Sequence, residues 1–292
     1  MKEKKISLGL RPATAFEEEA RADKDQWGVT DLYSTGDKIL DEYMGNSQKG
    51  GYGRRSGYEI VTIFGDTGMN KSTLATSMII DPASKGVQVA YLALEDDPKD
   101  VVKRLMQQCI SQKEFDNAMK NILFLPESDG YTLEAMAEAI EKIFDVADIV
   151  LVDPIQFIYE ASVAEKGETE FNRQRLFMRR MNNVMKHTNK TLILVSHTNK
   201  NNGKYGSKGL DRIIGSSAIA QVSTKVLEIN RKEDGLQGIR LWKTRFTPYR
   251  YCGVQIVLDS MRVRTVYEES ELPVARKNWS GGVVLPMEKG NE

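Results

Sequence analysis

The sequence predicts an α/β fold: a mainly parallel, twisted sheet with helices on both faces and an antiparallel edge. Three observations carry this expectation. From Tyr58 onward, strand and helix signals alternate along the chain. The strand segments are short and almost wholly apolar, as strands covered on both faces must be. The last three of them, KVLEINR, IRLWKTRF and VQIVLD, follow one another through short connections with no helix between, which points to an antiparallel edge.

Taken in order, EIVTIF (59–64) reads as a buried strand, followed by a glycine loop and a helix with Leu74, Ala75, Met78 and Ile79 at helical spacing. VQVAYLAL (87–94) is a second buried strand. PKDVVKRLMQQCI is a helix with Pro98 in its first turn and a stripe of Val101, Val102, Leu105, Met106, Cys109 and Ile110, which makes Cys109 a core residue, not a reagent. ILFL at Ile122 is a short strand. TLEAMAEAIEKIF turns Leu133, Met136, Ala137, Ile140 and Phe144 inward on a helix. DIVLVDP ends a strand at Asp153, residues 170–187 form a long basic helix, and TLILVSH is a further strand. Gly45 to Gly57, rich in Gly, Ser and basic residues, reads as a flexible loop. The organisation expected is an arm over 1–30 with a short amphipathic helix bearing Phe16 and Ala20, a core over 31–267, and a flexible tail over 268–292.

Composition narrows the function. The chain has 292 residues, 40% of them hydrophobic, enough for one large core. Lys+Arg and Asp+Glu are equal at 41 each, so bulk charge does not announce a nucleic-acid partner, although a few basic loops on a neutral body would suffice. Two cysteines (Cys109, Cys252) and two histidines (His187, His197) offer neither a zinc site nor a disulfide framework. No segment approaches the roughly 20 apolar residues of a membrane helix. A soluble protein of a reducing, cytoplasmic compartment is expected.

GDTGMNKST, Gly65 to Thr73, lies after a strand and before a helix, where a phosphate-binding loop belongs. Gly65, Asp66, Thr67, Gly68, Met69 and Asn70 would turn backbone N–H groups toward the phosphates of ATP or another NTP or dNTP. Lys71 would reach the β- and γ-phosphates, and Ser72, followed by Thr73, would hold Mg²⁺. The pattern asks for glycine before the lysine, and this chain has Asn70. Asn tolerates a left-handed backbone better than other non-glycine residues, so the loop is expected to keep its shape. Asp153 closes an apolar strand, the place for a carboxylate that holds magnesium, and Pro154 is expected to keep the chain extended beyond it. Glu95 follows YLAL at the end of a strand expected beside the loop strand, where it can orient a water; Asp96 and Asp97 compete for that role on position alone.

LALEDDPKDVVKRL, IVLVDPIQF, LILVSHTNK, GLDRIIGSSAIAQVSTKVLEINR and LWKTRFTP occur in that order. Together with the loop they resemble the hexameric replicative helicases with a RecA-like core: bacterial DnaB helicases, the helicase half of certain phage primase-helicases, and mitochondrial Twinkle. The phage and mitochondrial branch is the more similar, because His197 ends the strand after the Asp153 segment. The resemblance spans about residues 30–265. It implies a RecA-like P-loop NTPase fold. It implies Glu95 as catalytic base, Lys71 and Ser72 as phosphate and magnesium contacts, and Asp153 as the second magnesium residue. His197 and Gln221 correspond to polar sensors of the γ-phosphate. Arg245, with Lys243 beside it, corresponds to an arginine finger that enters the neighbouring subunit's site. Arg231 corresponds to an arginine set against the nucleotide base.

The same resemblance gives Lys200 to Gln221 a role on single-stranded DNA. Lys200, Lys204, Lys208 and Arg212 would meet phosphates, and backbone N–H groups near Gly215 would help. Family members often carry arginine where this chain has Ala220, which shifts the grip onto the lysines. The partners implied are single-stranded DNA, identical subunits in a six-membered ring, and a primase, polymerase or helicase loader, with no membrane. No zinc-binding or collar domain is expected before the core, and residues 1–30 would strap onto a neighbour. The competing expectations are a recombinase or recombination mediator of the same core, and a nucleotide-switched scaffold with weak hydrolysis, which Asn70 keeps in play.

Overall fold

The computed structural model describes residues 33–45, 51–53, 57–125, 132–161, 169–198, 209–213, 216–231, 237–244, 251–257, 261–266, 277–278 and 282–283. The elements are α1 (Lys38–Met44), β1 (Glu59–Gly65), α2 (Lys71–Ser84), β2 (Val89–Ala93), α3 (Pro98–Gln108), α4 (Gln112–Met119), β3 (Ile122–Phe124), α5 (Leu133–Ile143), β4 (Ile149–Asp153), α6 (Ile155–Ala161), α7 (Glu170–Lys186), β5 (Thr191–His197), α8 (Ser216–Val222), β6 (Lys225–Arg231), β7 (Gln237–Lys243), β8 (Tyr251–Val257) and β9 (Arg262–Val266). A 3₁₀ turn covers Gly209–Arg212.

Nine strands form one sheet in the order β3-β2-β4-β5-β1-β6-β7-β8-β9. The first six are mutually parallel, and β7, β8 and β9 are antiparallel. Two points differ from expectation. KVLEINR is the last parallel strand, paired with β1, so the antiparallel edge starts only at β7. A ninth strand, β9, closes the edge. It alternates Arg262, Val263, Arg264, Thr265, and buries Val263 and Thr265, as a strand with one covered face should.

Alternation along the central strands divides the core. Val61 and Ile63 pack with Leu74, Met78 and Ile79 of α2 and with Val101 and Leu105 of α3 on one face. Ile60 and Phe64 pack with Met136 and Ile140 of α5, Met178 and Met181 of α7 and Ile219 of α8 on the other. Helices therefore cover both faces. The stripe on α3 is narrower than the sequence implied: Val101 and Leu105 are buried, but Met106 and Ile110 are exposed. Cys109 ends that helix, half-buried against the core, and burial pushes the pKa of its thiol up to about 11, which keeps it protonated and unreactive.

The segment read as a flexible loop contains a fixed point. Tyr52 is fully buried, pairs with Tyr33 in an isolated antiparallel bridge, and donates to the Met78 carbonyl at 2.7 Å. The chain does not run extended past Asp153 either. The Asp153–Pro154 bond is cis, and α6 begins at Ile155. In the expected tail, Lys277–Asn278 and Gly282–Val283 form a short antiparallel ladder. The arm over 1–30 lies outside the described residues.

Candidate functional site: a phosphate loop and its carboxylates

Parallel strands deliver their carboxyl ends to one edge of the sheet. In register, Gly65 of β1 is abreast of His197 of β5 and Ile229 of β6, and Asp153 of β4 is abreast of Ala93 of β2. The loop from Gly65 to Asn70 leaves β1 at this edge and enters α2. Gly65 is required by packing, since a Cβ there would meet the Ile229 carbonyl oxygen at 2.5 Å. Gly68 has φ +80°. Asn70 sits in the left-handed region at φ 62°, ψ 32°, and its amide donates to Gln237 Oε1 at 3.3 Å. The conformation that glycine would adopt freely is thus taken by the residue type that tolerates it best.

The start of α2 is distinctive. Asp37, Asp97, Ser111, Thr132 and Thr169 each cap a helix by accepting a backbone N–H. Asn70 makes no such bond. The first N–H groups of α2, with the positive end of its dipole, stay directed at the loop without a capping side chain, the arrangement that suits an anion.

Lys71 is buried at 5% exposure, and its Nζ donates to the Asp66 carbonyl at 3.0 Å. Burial lowers its pKa; the fields of Asp153, Glu95 and Asp66 oppose this and do not cancel it. Asp153 is equally buried and accepts from Tyr91 Oη at 2.8 Å, with the Ser72 hydroxyl near it. Burial raises its pKa despite Tyr91, Ser72 and the nearby Arg104. A hydroxyl and a carboxylate side by side are hard oxygen donors. Among the described residues no group of three or more His, Cys, Asp or Glu could hold a metal ion. The pair therefore fits Mg²⁺, which takes one or two protein oxygens and completes its shell with phosphate and water, and does not form an all-protein metal cage.

Glu95 lies two residues past the register partner of Asp153, and Leu94 donates its N–H to the Asp153 carbonyl. The expectation that β2 borders β1 is incorrect, because β4 and β5 lie between them. The site is closed by β5 instead: His197 Nε2 is 3.6 Å from Glu95 Oε2. Gln156 on α6 places that histidine, accepting its N–H at 3.2 Å and donating to Ser196 Oγ at 2.8 Å. The neighbouring acid, Asp96, is committed elsewhere, because Arg104 of α3 donates to it at 2.6 Å. Asp97 is used as the cap of α3, and half of the Glu95 side chain is exposed.

Asp66 accepts from the Thr198 hydroxyl and from Arg212 Nη2 at 2.8 Å. Burial alone would raise its pKa, but Thr198, Arg212 and Lys71 outweigh it and the net shift is downward. Arg212, which the resemblance sets on DNA, is held by two carboxylates, Asp66 and Glu228, the latter at 2.6 Å. Gln221 lies away from the loop within one chain. It lies at the exposed end of α8, where its carbonyl accepts from Lys243 Nζ at 2.9 Å. Val226 is the register partner of Lys243, whereas Arg231 is the partner of Gln237, which touches Asn70. Five residues of strand, roughly 17 Å, therefore separate Lys243 and Gln221 from the loop within one chain. Arg231 is exposed at the loop's edge of the sheet. Lys200, Lys204, Lys208, Gly215 and Arg245 lie outside the described residues.

Tyr91, Gln156, Thr198 and Arg104 were not singled out from the sequence. Tyr91 had a usable signal, since in a strand it shares a face with Ala93, the register partner of Asp153. Gln156 and Thr198 depend on long-range packing, whereas Arg104 meets Asp96 only eight residues before it.

Residues 51–203, just over half the chain, match the AAA domain family. Among solved structures, one ATPase domain superposes with TM-score 0.68 at 15% identity, over 87% of this chain and 98% of that domain. A DnaB-like replicative helicase, solved for its interactions with primase, superposes with TM-score 0.66 at 14% identity, over 89% of this chain and 68% of that one. The KaiC-like protein PH0186 of Pyrococcus horikoshii gives 0.61 at 16%, over 82% of this chain and all of that one. These likenesses establish a RecA-like P-loop ATPase fold. In sequence, the DNA repair and recombination protein RadB of Methanococcoides burtonii is 22% identical over 226 residues, 77% of this chain and 95% of RadB. The stretch that matches the family model carries the phosphate loop, Glu95, Asp153 and His197, and on that match the chain belongs to the AAA domain family.

Proposed function

We propose that this protein is an ATP-driven motor on single-stranded DNA: a ring helicase that unwinds duplex during replication. The observation that carries the reading is the meeting of Lys71, Ser72, Asp153, Glu95 and His197 at one edge of a RecA-like sheet, with Glu95 and His197 3.6 Å apart. Lys71 and the uncapped start of α2 bind the polyphosphate of ATP. Ser72 and Asp153 would hold Mg²⁺, which would supply neutralisation of the charge that develops on the phosphates. Glu95 orients the attacking water and takes its proton, and His197 senses the γ-phosphate through the same carboxylate. Likeness to a solved ATPase domain and to a DnaB-like replicative helicase favours the helicase reading. On that reading six copies form the ring, Arg245 with Lys243 completes a neighbour's site, and Lys200, Lys204 and Lys208 grip DNA phosphates. A primase, polymerase or loader is the partner class.

A second reading has its own support. Similarity to RadB favours a recombination mediator that hydrolyses ATP on DNA without unwinding. Hydrolysis assayed with and without single-stranded DNA, beside light scattering, tests the shared part. We expect stimulation by DNA and a mass several times that of one chain. Hydrolysis indifferent to DNA would leave the nucleotide-switched scaffold.

A further inference from the structure

The geometry points to Arg212 as a positioning residue of the nucleotide site, one that ties Asp66 of the phosphate loop to the β6–β7 edge and passes the loop's state to Trp242. Its guanidinium is forked: Nη2 reaches Asp66 Oδ1 at 2.8 Å, and Nη1 reaches Glu228 Oε1 at 2.6 Å. The other oxygen of Glu228 accepts from Trp242 Nε1 at 2.6 Å, and Arg240 stacks over that indole with its Cζ 5.3 Å from the ring centroid. A continuous polar chain therefore runs Asp66–Arg212–Glu228–Trp242 and joins the loop to β7.

The two carboxylates are unequal. The Glu228 side chain is 4% exposed and that of Asp66 is 52% exposed. Stripping the cation from a buried carboxylate is expensive, whereas a solvent-facing pair opens at little cost. Arg212 is thus anchored at Glu228 and releasable at Asp66. Phosphates bound beside Asp66 compete for the same guanidinium arm, because a planar donor fork suits phosphate as well as carboxylate. Any turn of Arg212 away from Asp66 alters the charge balance at Glu228 and so the bond to the Trp242 indole.

This inference rests on the reading of the loop as a nucleotide site, and Trp242 gives it a readout that a purely structural role would not move. The chain has three tryptophans. Replacing Trp27→Phe and Trp279→Phe leaves Trp242 as the sole emitter. Saturating MgADP, with occupancy followed by calorimetry, is expected to shift Trp242 emission in this parent. The shift should be lost in Asp66→Asn and in Arg212→Gln while MgADP is bound. Should Arg212→Gln fail to fold, Asp66→Asn carries the test, since it leaves the Arg212–Glu228 pair in place. Emission that shifts equally in bound Asp66→Asn, or that never shifts in the bound parent, overturns the inference alone. If calorimetry detects no MgADP binding to the parent, the nucleotide reading falls and this inference with it.

Discussion

At the amino ends of the central strands, Lys225 of β6 and Glu59 of β1 are fully buried and 3.0 Å apart. Both partners have a further use: Lys225 donates to the Gly51 carbonyl, and Glu59 accepts from the Gly53 N–H. At the carboxyl ends, Lys71 and Asp153 are almost as buried, yet the lysine donates to a loop carbonyl and the carboxylate accepts from the Tyr91 hydroxyl. The same residue types thus serve opposite purposes. Where cation and anion satisfy each other the sheet is pinned. Where they are held apart in a dry setting, their charge is available to a ligand that brings phosphates and a divalent ion.

The sharpest break in this comparison comes from Arg245. It follows Lys243, which lies at the end of the sheet remote from the loop. On the proposed reading its effect on hydrolysis therefore comes through a neighbour. We expect Arg245→Ala to keep nucleotide binding and lose about 10³-fold or more in DNA-stimulated turnover. Mixing it with an inactive Lys71→Ala chain should restore part of the rate. Normal turnover by Arg245→Ala would sink the interface between subunits.

Glu59→Gln should come next. It strands a buried ammonium and should lower stability by about 3–5 kcal/mol in chemical denaturation, with nucleotide contacts untouched. Asp153→Asn should do the reverse. The folded pKa of Asp153 is raised by burial, so the ionised form is disfavoured in the fold; stability gained by protonation grows as pH falls through that pKa and is absent above it. The neutral amide should therefore raise Tm at neutral pH while abolishing hydrolysis. A loss of stability in Asp153→Asn as large as in Glu59→Gln would erase the distinction between the two ends.

The smallest effect expected is that of Asn70→Gly. Glycine adopts φ 62° without strain but loses the 3.3 Å contact to Gln237. ATP affinity should change by less than about tenfold, or about 1.4 kcal/mol. Loss of measurable binding would show that the Asn70 side chain is itself part of the site.

Much of this architecture was legible because local patterns dictated it. The short apolar runs 59–64 and 149–153 read as strands covered on both faces and are so, and the glycine loop between strand and helix fixed the position of Lys71. What the sequence hid was order and pairing. β2 reads as a neighbour of β1, but crossovers place β4 and β5 between them, and nothing local specifies that. Arg212 reads as one basic residue among several in a loop. Its two carboxylates are 146 and 16 residues away, and only the fold brings them together. Tyr52 sits in a glycine-rich run that looks featureless, yet its hydroxyl finds a carbonyl on α2. The buried stripe on α3 is narrower than its sequence pattern. Its buried line is Val101, Leu105 and Gln108, which leaves Met106 one position off the covered face and Ile110 beyond the helix end.

The most direct test of the motor reading is strand displacement on a forked duplex, followed together with ATP hydrolysis and with strand pairing between complementary oligonucleotides. The account predicts ATP-dependent release of one strand, abolished by Lys71→Ala, with no strand pairing. Hydrolysis stimulated by DNA with pairing and no displacement would contradict it and place this chain with recombination proteins.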